Sequence, residues 1–308
     1  MELKLKDYLS KVMTGESQQF KNITVVPLFF AEPAKADYLT LKEALAKKAI
    51  TINEVTAGGS VPELAVEVND DITVLILDGE ELIGGKQNRL VNTTILLQGK
   101  SRTTVPVSCV EHGRWHHVSP TFADSGNVAN YSVRMKKQQS VTLSLCAAKG
   151  FRSDQQAVWS GISSLGATAD VKSSTGAMSD IYKNKQADLN EYLRMFPQKP
   201  GQSGILVFIN NEAVGLDIVS RDSAYIVYHE KLLKSYCIEA MYRKQDNQEL
   251  APAKTKEIFE KIAECTESKY KSVGKGTDYR FKGQDFSGAS LEVEGEVIHM
   301  AFLSTAKV

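Results

Sequence analysis

Asp78-Gly-Glu-Glu-Leu-Ile-Gly-Gly-Lys-Gln-Asn-Arg89 stands between two very apolar runs, Ile72 to Leu77 and Leu90 to Leu97. Short β-branched runs of that kind read as strands, so the polar block is predicted to join two strands of a sheet. Glycines at 79, 84 and 85 let the backbone bend or come close to a ligand. Two readings stay open. The block is either a solvated loop whose charges pair with one another, or a compact polar pocket held still by the strands on both sides. If the segment is extended, Glu80 and Glu81 point to opposite faces and at most one of them serves a given pocket.

Moving outward, the alternating pattern persists from Pro62 to Trp115, through Leu64 to Val68 and Thr103 to Val110, with Gln98-Gly-Lys-Ser101 suited to a hairpin turn. Upstream, residues 3 to 12 allow a short amphipathic helix. Ile23 to Phe30 reads as a strand closed by Pro33, and Thr40-Leu-Lys-Glu43 as a capping box opening a helix to about Ala49. Ile50 to Val55 reads as a further strand. After Pro120 the pattern is helical for about 75 residues, with Ser153-Asp-Gln-Gln156 as a second capping box and Pro197 as the stop. A hairpin over 204–219 follows, turning at Ile-Asn-Asn-Glu, and then a helix capped by Asp222. Residues 243–256 are the best linker candidate. A helix from Thr255 to Ala263 and a meander from Tyr279 to Leu303, with turns at Gly283, Gly288 and Gly295, end the chain.

Segregated β-rich and helical stretches predict an α+β fold: β-rich over about 20–118, mainly helical in the middle, then a hairpin and a C-terminal meander. The 308 residues fit one α+β unit or two packed halves, 1–120 and 121–308. Thirty-seven basic residues balance 37 acidic ones without a basic stripe, which argues against nucleic acid or an anionic membrane as partner. No apolar run approaches the roughly 20 residues a bilayer needs. The charged N-terminus has no signal-peptide pattern, so a cytoplasmic address is expected.

Common catalytic signatures fail. His229-Glu230 begins like a zinc-protease helix, but Leu233 stands where the second histidine belongs, and Lys275 lacks phosphate-loop spacing. Cys109, Cys146, Cys237 and Cys265 form no Cys-x-x-Cys pair and are expected to be reduced. His112, His116 and His117 suggest metal ligands at first sight but read as surface residues, and no metal is assigned.

Chemistry is therefore sought in the block and in Cys109-Val-Glu-His-Gly-Arg-Trp115. Glu80, Glu81 and Glu111 are candidate acids or bases. Arg89 and Arg114 could grip an anion, Trp115 could stack on a ring, and Asp78, Lys86, Gln87 and Asn88 could orient a ligand. Asp154 and Gln155 open a helix whose N-terminus could add to an anion site, with plain capping as the alternative.

These segments resemble a known family. The block, Asn92-Thr-Thr-Ile95, Val105-Pro-Val-Ser-Cys-Val-Glu111, Gly113-Arg-Trp115, Ser153-Asp-Gln155, Ser174-Thr-Gly-Ala-Met178 and Gly215-Leu-Asp217 look like the ADP-ribosylglycohydrolase and rhodanese-phosphatase associated protein domain, over about 20–245. The resemblance implies a role near nucleotide or ADP-ribose metabolism and assigns no catalytic residue. The expected function is binding or processing of a small phosphorylated, nucleotide-like ligand. The alternative is a non-catalytic scaffold in which the block is an internal hydrogen-bond network. Enzyme status, cofactor and oligomeric state stay open.

Overall fold

The computed structural model describes residues 5–32, 34–56, 58–244, 251 and 253–306. The chain begins with α1 (Leu5–Leu9), β1 (Val12–Thr14), β2 (Gln18–Phe20) and β3 (Ile23–Phe30). It continues through β4 (Leu39–Thr40), α2 (Leu41–Ala46), β5 (Ile50–Glu54), β6 (Glu63–Val68), β7 (Val74–Ile76), β8 (Glu80–Gly84), β9 (Arg89–Val91), β10 (Ile95–Leu97), β11 (Ser101–Cys109) and β12 (Phe122–Val128). Helices α3 (Tyr131–Cys146), α4 (Gln155–Thr168), α5 (Met178–Asn184) and α6 (Gln186–Met195) follow. The last part is β13 (Gln202–Ile209), β14 (Glu212–Val219), α7 (Asp222–Ala240), α8 (Ala253–Ala263), β15 (Thr266–Lys271), β16 (Thr277–Lys282), β17 (Phe286–Val293) and β18 (Glu296–Ser304). The fold is α+β. None of the described helices is long and apolar enough to cross a membrane.

Two compact units interleave along the chain: residues 1–36, 187–271 and 276–308 form one, and 37–186 with 272–275 form the other. The first is a nine-stranded antiparallel sheet in the order β1-β3-β13-β14-β18-β17-β16-β15, with β2 also on β3. One face packs Leu206, Phe208, Leu216, Ile218 and Phe302 against Leu5 and Leu9 of α1 and Ile258 and Ile262 of α8. The alternate residues face α7. A Cβ at Gly215 would lie 2.4 Å from the Tyr236 hydroxyl, so the bare backbone there lets the helix come close. The β13–β14 turn places Asn210 (φ 50) and Asn211 (φ 61) in the left-handed region, which matches the tight hairpin turn predicted.

The second unit pairs a six-stranded antiparallel sheet, β12-β8-β9-β11-β6-β5, with a three-stranded sheet, β10-β7-β4. Leu64, Val66, Val74, Ile76, Leu82, Val91, Ile95, Val105 and Val107 form its core. Thr40 makes the capping box: its hydroxyl accepts from the Glu43 amide while Glu43 accepts from the Thr40 amide, and the helix runs to Ala46.

Several expectations are corrected. The turn at 98–101 does not close a hairpin, because β10 pairs with β7 while β11 pairs with β6 and β9; it carries the chain from one sheet to the other. The stretch after Pro120 opens with β12, not a helix. Its sequence, Phe-Ala-Asp-Ser-Gly-Asn-Val, hides the alternation because a bulge interrupts it. Gly288 lies inside β17, where a Cβ would strike the Phe302 ring at 2.3 Å. The cap of α7 is Arg221, whose side chain makes no capping bond, and Asp222 is the first helical residue. Much of the linker candidate, 245–250 and 252, lies outside the described residues, as do Leu3 and Pro33.

Candidate functional site

The 78–89 block is largely extended, with β8 inside it, and nearly all of it is buried. Neighbouring strands explain this. β8 lies between β12 and β9, and β9 is covered in turn by β11, so charged side chains are carried into the unit by the pleat. Gly85 (φ +50) makes the turn after β8, and a Cβ there would lie 2.3 Å from the Phe122 ring. Glu80 and Glu81 are both fully buried on opposite sides of the strand. Glu80 Oε2 accepts from the Leu77 amide at 2.8 Å.

Both terminal nitrogens of Arg114 are engaged from within. Its Nη1 donates to the carbonyls of Gly85 (2.7 Å) and His116 (2.9 Å), and its Nη2 to Gly84 O (3.3 Å), Asn88 Oδ1 (3.1 Å) and Glu111 Oε2 (2.6 Å). Glu111 also accepts from the Asn88 amide at 3.0 Å and, through Oε1, from the Thr175 hydroxyl at 2.9 Å. Burial pushes the Glu111 carboxyl up, but the bonds from Arg114, Asn88 and Thr175 outweigh it and hold the pKa below the ordinary value. This is a fixed anion, poorly suited to accept a proton near neutrality.

The other predicted residues are mostly committed too. Asp78 is paired with Lys137 of α3, both buried, and Lys137 also donates to Asn92 O at 3.1 Å. Lys137 was not anticipated; one of two adjacent lysines in a polar helix, it gives no sequence signal. Gln155 uses its amide as a stand-in strand, accepting from Cys109 N and donating to Cys109 O, each at 2.8 Å. Asp154 is the N-cap of α4, accepting from the Ala157 amide at 3.0 Å, so the cap lies one residue beyond Ser153 and, with Ala157 at the third helical position, the predicted capping box does not form. Ser153 instead meets the Ser108 hydroxyl. Lys86 Nζ donates to Gly58 O at 2.6 Å.

Arg89 is less complete. The guanidinium is fully buried, Nη1 donates to Gln87 Oε1 at 3.1 Å, and Nη2 lies 3.9 Å from Glu54 Oε1. Neither Nε nor Nη2 has a hydrogen-bond partner among the described residues. Burial lowers the Arg89 pKa, with Cys109 and Glu54 acting in the opposite direction. The guanidinium carbon lies 6.0 Å from the centre of the Trp115 ring, and Lys86 Nζ lies 5.4 Å from it. Trp115 is 49% exposed.

Glu81 is the outlier among the carboxylates. Both its oxygens are buried and without a hydrogen bond of ordinary geometry. Burial raises its pKa to about 7; Ser125, Asn127 and the Ser179 amide lie near enough to oppose the rise, and the charge on Glu111 adds to it. Sequence reading named Glu81 but missed Ser125 and Asn127, whose strand it read as helix.

Among the described residues no group of three or more His, Cys, Asp and Glu is placed to hold a metal ion. His112, His116 and His117 are exposed, and His112 packs edge-on against Trp159 at 4.5 Å. All four cysteines are free; Cys109 is buried and its thiol pKa is raised, chiefly by that burial. Two cavities of about 350 and 480 Å³ lie in the first unit, and neither is lined by any residue of the block.

A family model described as the ARG and Rhodanese-Phosphatase-superfamily-associated Protein domain matches residues 11–303. That span is longer than the 20–245 region that carries the resemblance. No curated protein and no solved structure matches the chain.

Proposed function

The chain belongs to the ARG and Rhodanese-Phosphatase-superfamily-associated Protein domain family, and from that premise we propose that it acts as a non-catalytic scaffold or interaction domain. In this reading the 78–89 block is an internal network that holds a contact surface. The supporting observation is Arg114, whose two terminal nitrogens make five hydrogen bonds to acceptors of the protein itself. An arginine arranged to receive a ligand keeps donors for it; this one spends them tying the 112–118 segment to the end of β8. That segment presents Trp115 (49% exposed) and Val118 (60% exposed) to solvent. Exposed aromatic anchors on a rigid base are the usual centres of protein contact surfaces.

Arg89 favours a second reading. A buried guanidinium with two unmatched nitrogens next to a half-exposed indole is a suitable start for an anion attached to a planar ring, the phosphorylated nucleotide-like class. Arg89→Ala separates the two. The scaffold reading expects a clear fall in melting temperature; unchanged stability with loss of a ligand response would overturn it in favour of the second.

A further inference from the structure

The smaller of the two cavities lies wholly within the first unit, where the start of α7 meets the last residue of β3 and the first residues of β13. Neither functional reading uses it. Its walls include Phe30, Glu32, Ser203, Arg221, Asp222 and Ser223. Gly201 (φ +74) turns the chain into β13, and the pairing of β13 with β3 shifts register between Gln202 and Gly204, which leaves Ser203 outside the ladder. Gln202 fixes this irregularity. Its side chain accepts from the Lys199 amide at 2.9 Å and donates to Gly204 O at 2.9 Å and to the Tyr225 hydroxyl of α7 at 3.1 Å. Ser203 is thereby carried to the cavity wall only 4% exposed, and its hydroxyl makes no hydrogen bond among the described residues. A buried hydroxyl on a cavity wall without a partner needs one.

The rest of the lining narrows what that partner is. The 19-residue α7 brings its first turn to the cavity, where Arg221 makes no capping bond and the Ser223 amide is taken by Asp222 Oδ1 at 2.7 Å. Two carboxylates, Asp222 and Glu32, face one guanidinium, Arg221, which has a further interaction within the protein; Glu32 also lies 4.0 Å from Lys11. An excess of carboxylates disfavours a free anion, while the helix start and Arg221 disfavour a free cation. Carboxylates only accept, a guanidinium only donates, and serine hydroxyls do both. A ligand that suits all three carries groups that donate and accept at once. Phe30, half-buried with its ring centre 5.3 Å from that of Tyr8, supplies an apolar wall. We propose that this cavity binds a small neutral polyol of the sugar class, its hydroxyls bonded to Ser203, Asp222 and Glu32 and the apolar face of its ring laid on Phe30. A volume of about 350 Å³, at the lower end of the range of small-ligand pockets, suits a single sugar ring. No residue of the 78–89 block lines the cavity, so the site is compatible with either reading above.

Titration of the full chain with glucose, galactose, mannose and ribose, followed by amide chemical shifts, tests this, with inorganic phosphate and tetramethylammonium as charged controls. At least one sugar should bind at millimolar concentration and move the Gly201, Ser203 and Ser223 amides most, while neither control does. Asp222→Ala should weaken that sugar about tenfold, the loss expected for one hydrogen bond to a charged group, and Ser203→Ala should weaken it severalfold. The proposal is overturned if no sugar shifts these amides, if phosphate binds there more tightly than every sugar, or if both variants keep the wild-type affinity. Should the variants fail to fold, the wild-type shift map decides: changes centred on these three amides support the site, and changes centred elsewhere refute it.

Discussion

Arg114 and Glu111, three residues apart in sequence, meet at 2.6 Å with both side chains less than a tenth exposed. The pair is embedded: the same arginine reaches the end of β8, and the same carboxylate takes the Asn88 amide and the Thr175 hydroxyl. Three separate stretches of chain therefore share one charge pair.

Removing the cation should hurt. Arg114→Ala leaves Glu111 buried without its counter-charge, a change that costs about 3–5 kcal/mol in comparable buried pairs. A urea melt of the variant against wild type measures it. Arg114→Lys should recover only a minor part, because a single ammonium cannot reproduce the planar fork that serves five acceptors.

Stability should decline as pH rises from about 5 to 7. The folded pKa of Glu81 is raised from 4.5 to about 7, so its proton favours the native state at low pH and that advantage is lost through this window. The loss is at most about 3 kcal/mol from a shift of this size, and Glu81→Gln should flatten it. Glu111 works the other way: its pKa is lowered, so its contribution is present above the ordinary carboxylate range and lost as pH falls. Denaturant midpoints across pH 4 to 8, measured in both wild type and variant, separate the two.

Gly85→Ala should destabilise the second unit. The left-handed backbone costs an alanine about 1–2 kcal/mol, and the new methyl would meet the Phe122 ring at 2.3 Å and Glu54 Oε1 at 2.9 Å. Unfolding by heat reads the loss; unchanged melting would mean that Phe122 and the turn yield easily.

Thiol chemistry should be uneven. Cys146 is exposed, Cys265 is half-buried with its pKa pushed up to about 11, and Cys109 and Cys237 are buried. A disulfide-exchange reagent in native buffer should titrate Cys146 first, and all four thiols only after denaturation. Rapid reaction of Cys109 would contradict its enclosure.

The second functional reading has its own test. A thermal-shift panel of ADP-ribose, NAD, ADP, adenosine and ribose phosphate should show stabilisation by the phosphorylated members alone if Arg89 and Trp115 receive such a ligand. Saturation a hundredfold above Kd adds about 2.7 kcal/mol. No shift at millimolar concentration leaves the scaffold reading in place.

Strands written as short apolar runs, such as Ile23 to Phe30, and ends with explicit capping chemistry, such as Thr40, were legible from sequence because local rules decide them. β12 was not, since its polar bulge breaks the period, nor was β15, whose Thr-Glu-Ser-Lys-Tyr-Lys is nearly all solvent-facing. At the candidate site the residue types were readable but their partners were not. Nothing local indicates that Asp78 meets Lys137, 59 positions away, or that Gln155 would complete the edge of Cys109. Such pairings are set by topology, which one sequence does not display.

The interleaving of the units also bears on how the chain is made. β3 lies near the N-terminus, but its partner β13 begins only at Gln202, after residues 37–186 have formed most of another unit. On the ribosome β3 must therefore wait, its edge unpaired, while the inserted part emerges. That part is itself unfinished until Ser272–Lys275 appears, when the Lys275 amide reaches Leu96 O at 2.8 Å. Closing loops this long is slow and leaves apolar edges exposed to other chains. Synthesis rate and chaperone supply should therefore govern the yield of this protein more than its final stability does, and the fragment 37–186 should fold less well than its contiguous boundaries suggest.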